Sequence, residues 1–151
     1  MKGFYQVTEK IKEQLLLDAN VNTVTTGDIT KVDLSKQTMF PLSHLMVNSV
    51  TNEDSVLRFS LSVLSMDVVN ASKDETVDVF VGNDNEQDIL NTQLAVLNKL
   101  VQVLRGGDPY KELYQLDGNP SFEPFYDRFE NEMAGWALSF DVLVPNDIYI
   151  C

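Results

Sequence analysis

Asn85–Gly107, NEQDILNTQLAVLNKLVQVLRGG, is the stretch from which the fold is read. Asn85 can accept from the first free backbone N–H groups of a helix, and Asp88, three residues on, can bond back. Glu86 and Asp88 place negative charge at the positive end of the helix dipole, and Arg105 places positive charge at the other end. Gly106 and Gly107 supply a left-handed stop, and Pro109 keeps the helix from restarting. The helix therefore spans Glu86 to Arg105. Its apolar residues form two adjacent stripes: Leu90, Leu94, Leu97, Val101 and Leu104 in one, Ile89, Val96, Leu100 and Val103 in the other. Asn91, Asn98 and Gln102 make a narrow polar strip. A helix apolar over so much of its circumference is covered on two sides, one by its own sheet and the other by a second helix or another subunit.

Outward from this helix, residues 3–19 read as an amphipathic helix. Phe4, Val7, Ile11 and Leu15 recur at three- and four-residue steps, opposite Glu9, Lys10, Lys12 and Glu13. Asn22–Thr26 has strand composition before a Gly27–Asp28 turn, and residues 28–38 read as a loop or short extended arm. Ser43–Val69 reads as a long β-hairpin whose first strand is about His44–Val50. Its polar turn is Thr51–Ser55, TNEDS. In the second strand Leu57, Phe59, Leu61 and Val63 alternate with Arg58, Ser60 and Ser62. Beyond Val63 the other face turns apolar as well, with Leu64, Met66 and Val68, so that end is expected to be covered on both faces.

Val69–Asp84 reads as a polar connection, Tyr110–Leu116 as a short strand or a helical turn, and Asp117–Pro120, DGNP, as a turn. In Glu123–Glu130 the aromatics Phe125, Tyr126 and Phe129 are expected to seal an edge of the core. The last strand, about Met133–Val144, puts Trp136, Leu138, Phe140, Val142 and Val144 on one face, and Pro145 ends it. The expected fold is α+β: an antiparallel sheet containing a long hairpin, with two helices packed on one face, in a single domain over residues 1–151. Leu94, Leu97, Val101, Phe59, Leu61, Leu138 and Phe140 form its expected core.

The 151 residues suffice for one domain with a real core, and the 44% hydrophobic fraction is that of a globular chain. No apolar run approaches bilayer length, and the charges interleaved through the first residues do not make a secretory signal. One cysteine, Cys151, leaves no intrachain disulfide, which suits a reducing compartment or a protein that needs no covalent staples. The net charge of −12, without a basic cluster, argues against a grip on nucleic-acid phosphates.

Convergent reactive groups are scarce. His44, the single histidine, reads as a strand-edge or hydrogen-bonded core residue before it reads as a catalyst or ligand. Nothing near Cys151 would activate a thiolate. Asp78, Asp84, Glu86 and Asp88 lack the frame of a calcium loop, and their place at a helix start already accounts for them. Gly106–Gly107 follows a helix, and Gly82 lies among carboxylates, so neither cradles phosphate. Arg58, Arg105 and Arg128 are isolated and read as salt-bridge partners. From composition and spacing the chain is a non-catalytic protein, without cofactor or metal, whose work is contact with other proteins. A metal-dependent hydrolase built on Asp84–Asp88 is the remaining enzymatic alternative.

Four strings in order carry a resemblance: KQTMFPLSHLMVNSVT (residues 36–51), SVLSMDVV (62–69), GNDNEQDILN (82–91) and GWALSFDVLVPNDIYIC (135–151). Together they resemble small virion proteins of tailed bacteriophages, the tail terminators, and more broadly the ring proteins of the head–tail neck. The resemblance implies an antiparallel sheet backed by two helices, assembled as a homohexameric ring that caps the tail tube where it meets the head. The implied partners are other copies of the chain, the tail tube protein and the head–tail connector protein, with DNA passing through the lumen without specific binding and no membrane. The implied location is the virion, after synthesis in the host cytoplasm. A non-structural tail-assembly chaperone or another neck ring stays open. A ring subunit must bury its flanks against neighbours, and acidic side chains would keep a DNA channel from sticking. Subunit or axial contacts are expected at Glu53, Asp54, Arg58, Leu64, Met66, Ile89, Val96 and Leu100. In a ring the hairpin tip with Glu53 and Asp54 is expected to project along the axis, with Arg58 pairing with one of the two.

Overall fold

A computed structural model describes residues 3–28, 40–69, 86–106, 115–128 and 133–145. The elements are α1 (Gly3–Leu16), β1 (Thr23–Thr26), β2 (Leu42–Glu53), β3 (Val56–Val68), α2 (Glu86–Gly106), β4 (Gln115–Arg128) and β5 (Met133–Pro145). The strands form one sheet in the order β1-β2-β3-β5-β4. Every pairing is antiparallel except β1 with β2, which is parallel. The fold is α+β, a mostly antiparallel sheet with both helices on one face.

The alternation in β3 and β5 sets that face. Register places Leu57 beside Val144, Phe59 beside Val142, Leu61 beside Phe140 and Val63 beside Leu138, with Leu45 and Val47 of β2 flanking Val63 and Leu61. Against them lie Val7, Ile11 and Leu15 of α1 and Val96, Leu97, Leu100, Val101 and Leu104 of α2, in one continuous core. The helix cover is thus read correctly from its period, but its phase differs from expectation. The buried residues of α2 are Ile89, Gln93, Val96, Leu97, Leu100, Val101 and Leu104, while Leu94 is only half-buried.

Two polar bonds fix that phase: Ser65 Oγ donates to Gln93 Oε1, and Trp136 Nε1 donates to the Leu90 carbonyl at 2.8 Å. Burying Gln93 is tolerable because its amide meets a partner inside the core. At the end of α2, Gly106 remains helical and has no left-handed φ; Asn85, Gly107 and Pro109 lie outside the described residues.

The far end of the sheet is covered on its second face too, as the double apolar pattern implies. Leu42, Met66, Phe125 and Met133 are buried there, with Phe40, Leu64 and Val68 packed against them. Gly135 pairs with Met66 in this region, and a Cβ added to it would lie 2.0 Å from the Ser65 carbonyl oxygen. Only glycine allows the strands to approach so closely.

Three readings change. Asp117–Pro120 is not a turn but part of the 14-residue β4, where pairing slips between Asp117 and Ser121 and Gly118 takes φ 68°. Pro120 and Pro124 are tolerated because β4 is an edge strand, whose outer N–H groups are not needed for a ladder. Within it Phe125 is buried, but Tyr126 is 53% exposed and seals nothing; Phe129 lies outside the described residues. The hairpin turn is Asp54–Ser55, shorter than Thr51–Ser55, with β2 running on to Glu53. Asp54 takes φ 63° and its N–H donates to Asn52 Oδ1 at 2.9 Å, a polar side chain supporting a left-handed turn residue. Residues 29–39 and 70–85, read as loop and connection, lie outside the described residues.

Candidate functional site: the open face at the hairpin tip

On the face without helices the sheet is graded along its strands. The apolar end described above gives way to hydroxyls, where Asn48 Nδ2 donates to Ser62 Oγ at 2.8 Å and Ser62 and Ser139 hydroxyls stand 3.5 Å apart. Asn48 is the extra residue of a bulge between Val47 and Ser49. The bulge reverses the facing of β2, so that Thr51 and Glu53, not Val50, lie on the open face with Arg58. Val50 is left 46% exposed on the helix side.

Beyond the hydroxyls, Arg58 gathers carboxylates from three other strands. Its Nε donates to Glu53 Oε1 at 2.7 Å and Nη2 to Oε2 at 3.4 Å, a forked pair within the hairpin. Nη1 donates to Asp117 Oδ2 on β4 and to Asp141 Oδ2 on β5, the latter at 3.3 Å. Hydrogen bonds donated to Glu53 first, then to Asp117, hold the guanidinium above its usual range, so it stays charged throughout the working pH range. One positive charge among three carboxylates leaves the cluster with excess negative charge. Its side chains keep about a quarter to two-fifths of their surface in water, 27% for Arg58 and 43% for Asp117. This is an anionic, hydrogen-bonded surface spanning four strands, suited to meeting cationic groups or to repelling phosphate.

Of the residues expected at contacts, Glu53, Asp54 and Arg58 come together at the tip, and Arg58 takes Glu53, not Asp54, as its partner. Leu64 is half-buried beside the second core. Met66, Ile89, Val96 and Leu100 are 0%, 4%, 2% and 3% exposed, so the chain's own core already covers the side chains expected to meet a neighbour. The excess apolar circumference of α2 is satisfied by α1 and the sheet. Sequence pattern does not mark Asp117 or Asp141 as site residues: one sits in a segment with turn composition, the other is a lone acid on a strand. Only the pairing of β3, β4 and β5 brings them to Arg58.

His44 is a fully buried hydrogen-bonded core residue, where Nε2 donates to the Gly27 carbonyl at 2.7 Å and Nδ1 accepts from Thr25 Oγ1 at 2.7 Å. Burial lowers its pKa, against smaller opposing effects of the Gly27 bond and Asp28, so the imidazole is neutral and pins β1 to β2. Among the described residues no group of three His, Cys, Asp or Glu side chains could hold a metal ion. Glu86 and Asp88 line the start of α2, and Asp78 and Asp84 lie outside the described residues. No helix of the described residues is long and apolar enough to cross a membrane. A scan of the sequence against protein-family models gives no match, and a search among curated proteins finds no similar one.

Proposed function

We propose that the chain is a structural virion protein of a tailed bacteriophage, a subunit of a homo-oligomeric, hexameric ring at the head-proximal end of the tail. In this role it terminates the tail tube and joins it to the head–tail connector. The observation that carries the reading is the Arg58 cluster on an open sheet face beside an exposed hairpin tip. An anionic surface held rigid by four strands is what a ring needs where it faces a basic neighbour or passing DNA. The four strings that resemble tail terminators support it, since they fall on β2, β3, the start of α2 and β5 of a sheet backed by two helices. The net charge of −12 agrees with a lumen that does not bind phosphate.

Mass spectrometry of purified particles tests this, with copy number and labelling to locate the chain. Six copies at the neck are expected; presence in lysates with absence from particles would point instead to an assembly chaperone. Replacing Glu53 and Asp54 together by serine is expected to leave folding nearly unchanged, because both are exposed, and to impair head–tail joining or DNA delivery. Normal infectivity of the double variant would reduce the tip to a solvated turn.

A further inference from the structure

Exposed large apolar side chains gather mainly at the two ends of α1. At its start Phe4 and Tyr5 are 48% and 69% exposed, their rings edge to face with centroids 6.0 Å apart. They open onto a groove of about 430 Å³ between α1 and the β1–β2 edge, floored by Leu45 and Val47. At the other end Leu16 and Leu17 are 47% and 73% exposed, and Leu17 stands beside Val103 of α2. The two patches are about 18 Å apart along the helix, twelve residues at 1.5 Å each, and do not overlap. One is concave and aromatic, the other a projecting aliphatic step.

The charges around them match. Glu9 and Lys12 line the groove, and Asp18 and Lys99 flank the leucine step. Each patch carries one acid and one base, so a contact between them can set opposite charges against each other. A contact between two like grooves would leave Leu16 and Leu17 in water, whereas a head-to-tail contact covers both patches at once. Head-to-tail contacts are also what close rings.

We infer that the α1 groove receives the Leu16–Leu17 step of a second copy of this chain, forming the lateral contact between subunits. This rests on the ring reading and specifies the surface that reading needs.

The test uses Tyr5→Lys, which blocks the groove, and Leu17→Lys, which blocks the step. Both lower the negative net charge, so lost assembly cannot come from added repulsion between acidic subunits. Sedimentation at high salt and high protein concentration, and on purified tails, reads the outcome, with melting curves confirming that both variants fold. Each variant alone is expected to stay monomeric where the wild type assembles. Their equimolar mixture is expected to stop at a heterodimer, since one supplies an intact step and the other an intact groove. Wild-type assembly by either variant overturns the proposed surface and leaves the ring reading standing, including the case in which the groove holds a small molecule instead. A wild-type chain that stays monomeric under every condition, tails included, overturns both.

Discussion

On the helix-covered face of the sheet, Leu45, Leu61, Val63, Leu138 and Phe140 are at most 5% exposed. On the opposite face the same strands present Ser60, Ser62 and Ser139 and then the Arg58 cluster, all at least partly in water. The first face is held by area removed from water, which is indifferent to direction and sensitive to volume. The second is held by hydrogen bonds whose geometry depends on strand register. Away from the second core, stability rests on the helix-covered face, and the open face is where the proposed role would be exercised, so substitutions on the two faces there should separate.

The sharpest way to break that division is Gly135→Ala. A Cβ there runs into the Ser65 backbone, which cannot swing aside as a side chain would. The loss is expected to exceed the about 1–3 kcal/mol of ordinary overpacking and to be read as failure to fold or a greatly lowered Tm. An alanine variant of normal Tm would show that β3 and β5 can separate freely.

Leu97→Ala comes next. Leu97 is fully buried between α2 and the sheet, and truncation is expected to cost about 2–5 kcal/mol in denaturant unfolding. An unchanged midpoint would remove α2 from the centre of the fold.

A smaller effect of opposite sign sharpens the comparison within the core. Ser43 is fully buried and among the described residues its hydroxyl has no hydrogen-bond partner, unlike neighbouring Ser65, which has Gln93. Ser43→Ala is expected to stabilise by about 1 kcal/mol, because an unmatched buried hydroxyl costs more than it contributes. Ser65→Ala, which strands the Gln93 amide oxygen, is expected to destabilise.

The smallest effect lies in pH. The fold lowers the pKa of His44, so its contribution is fully present above the unfolded value of about 6.5 and is lost as pH falls through the folded one. Between about pH 7 and pH 5 the slope should stay below about 1.4 kcal/mol per unit, the limit for one proton. Asp67 acts in the opposite sense. Burial, partly offset by the Val68 N–H, raises its pKa, so its favourable contribution belongs to acid and fades as pH rises through its folded value. Unfolding free energies measured across this range should flatten in His44→Gln; an equal slope in the variant would assign the pH dependence elsewhere.

Much of this architecture was legible in periodicity. The two helices, the alternation of β3 and β5 and the double apolar end of the hairpin follow from residues whose neighbours along the chain are also their neighbours on a face. The four-residue β1 was visible as a strand, but not its parallel pairing to β2, which depends on His44 reaching Gly27 across the sheet. β4 was hidden because Gly118, Pro120 and Pro124 carry turn chemistry that an edge strand tolerates. The phase of α2, with Gln93 in and Leu94 half out, was hidden because one polar pair and one tryptophan bond outweigh a small difference in apolar area.

The sequence by itself determined the class of the fold, the faces of its strands and the tip bearing Glu53 and Asp54, since these depend on local pattern and turn chemistry. Only tertiary structure decided that Asp117 and Asp141 join Glu53 around Arg58, and that Met66, Ile89, Val96 and Leu100 face inward. The physical reason is that charge meets charge through strand register, and burial depends on which surfaces dock, whereas chain pattern records only which residues share a side.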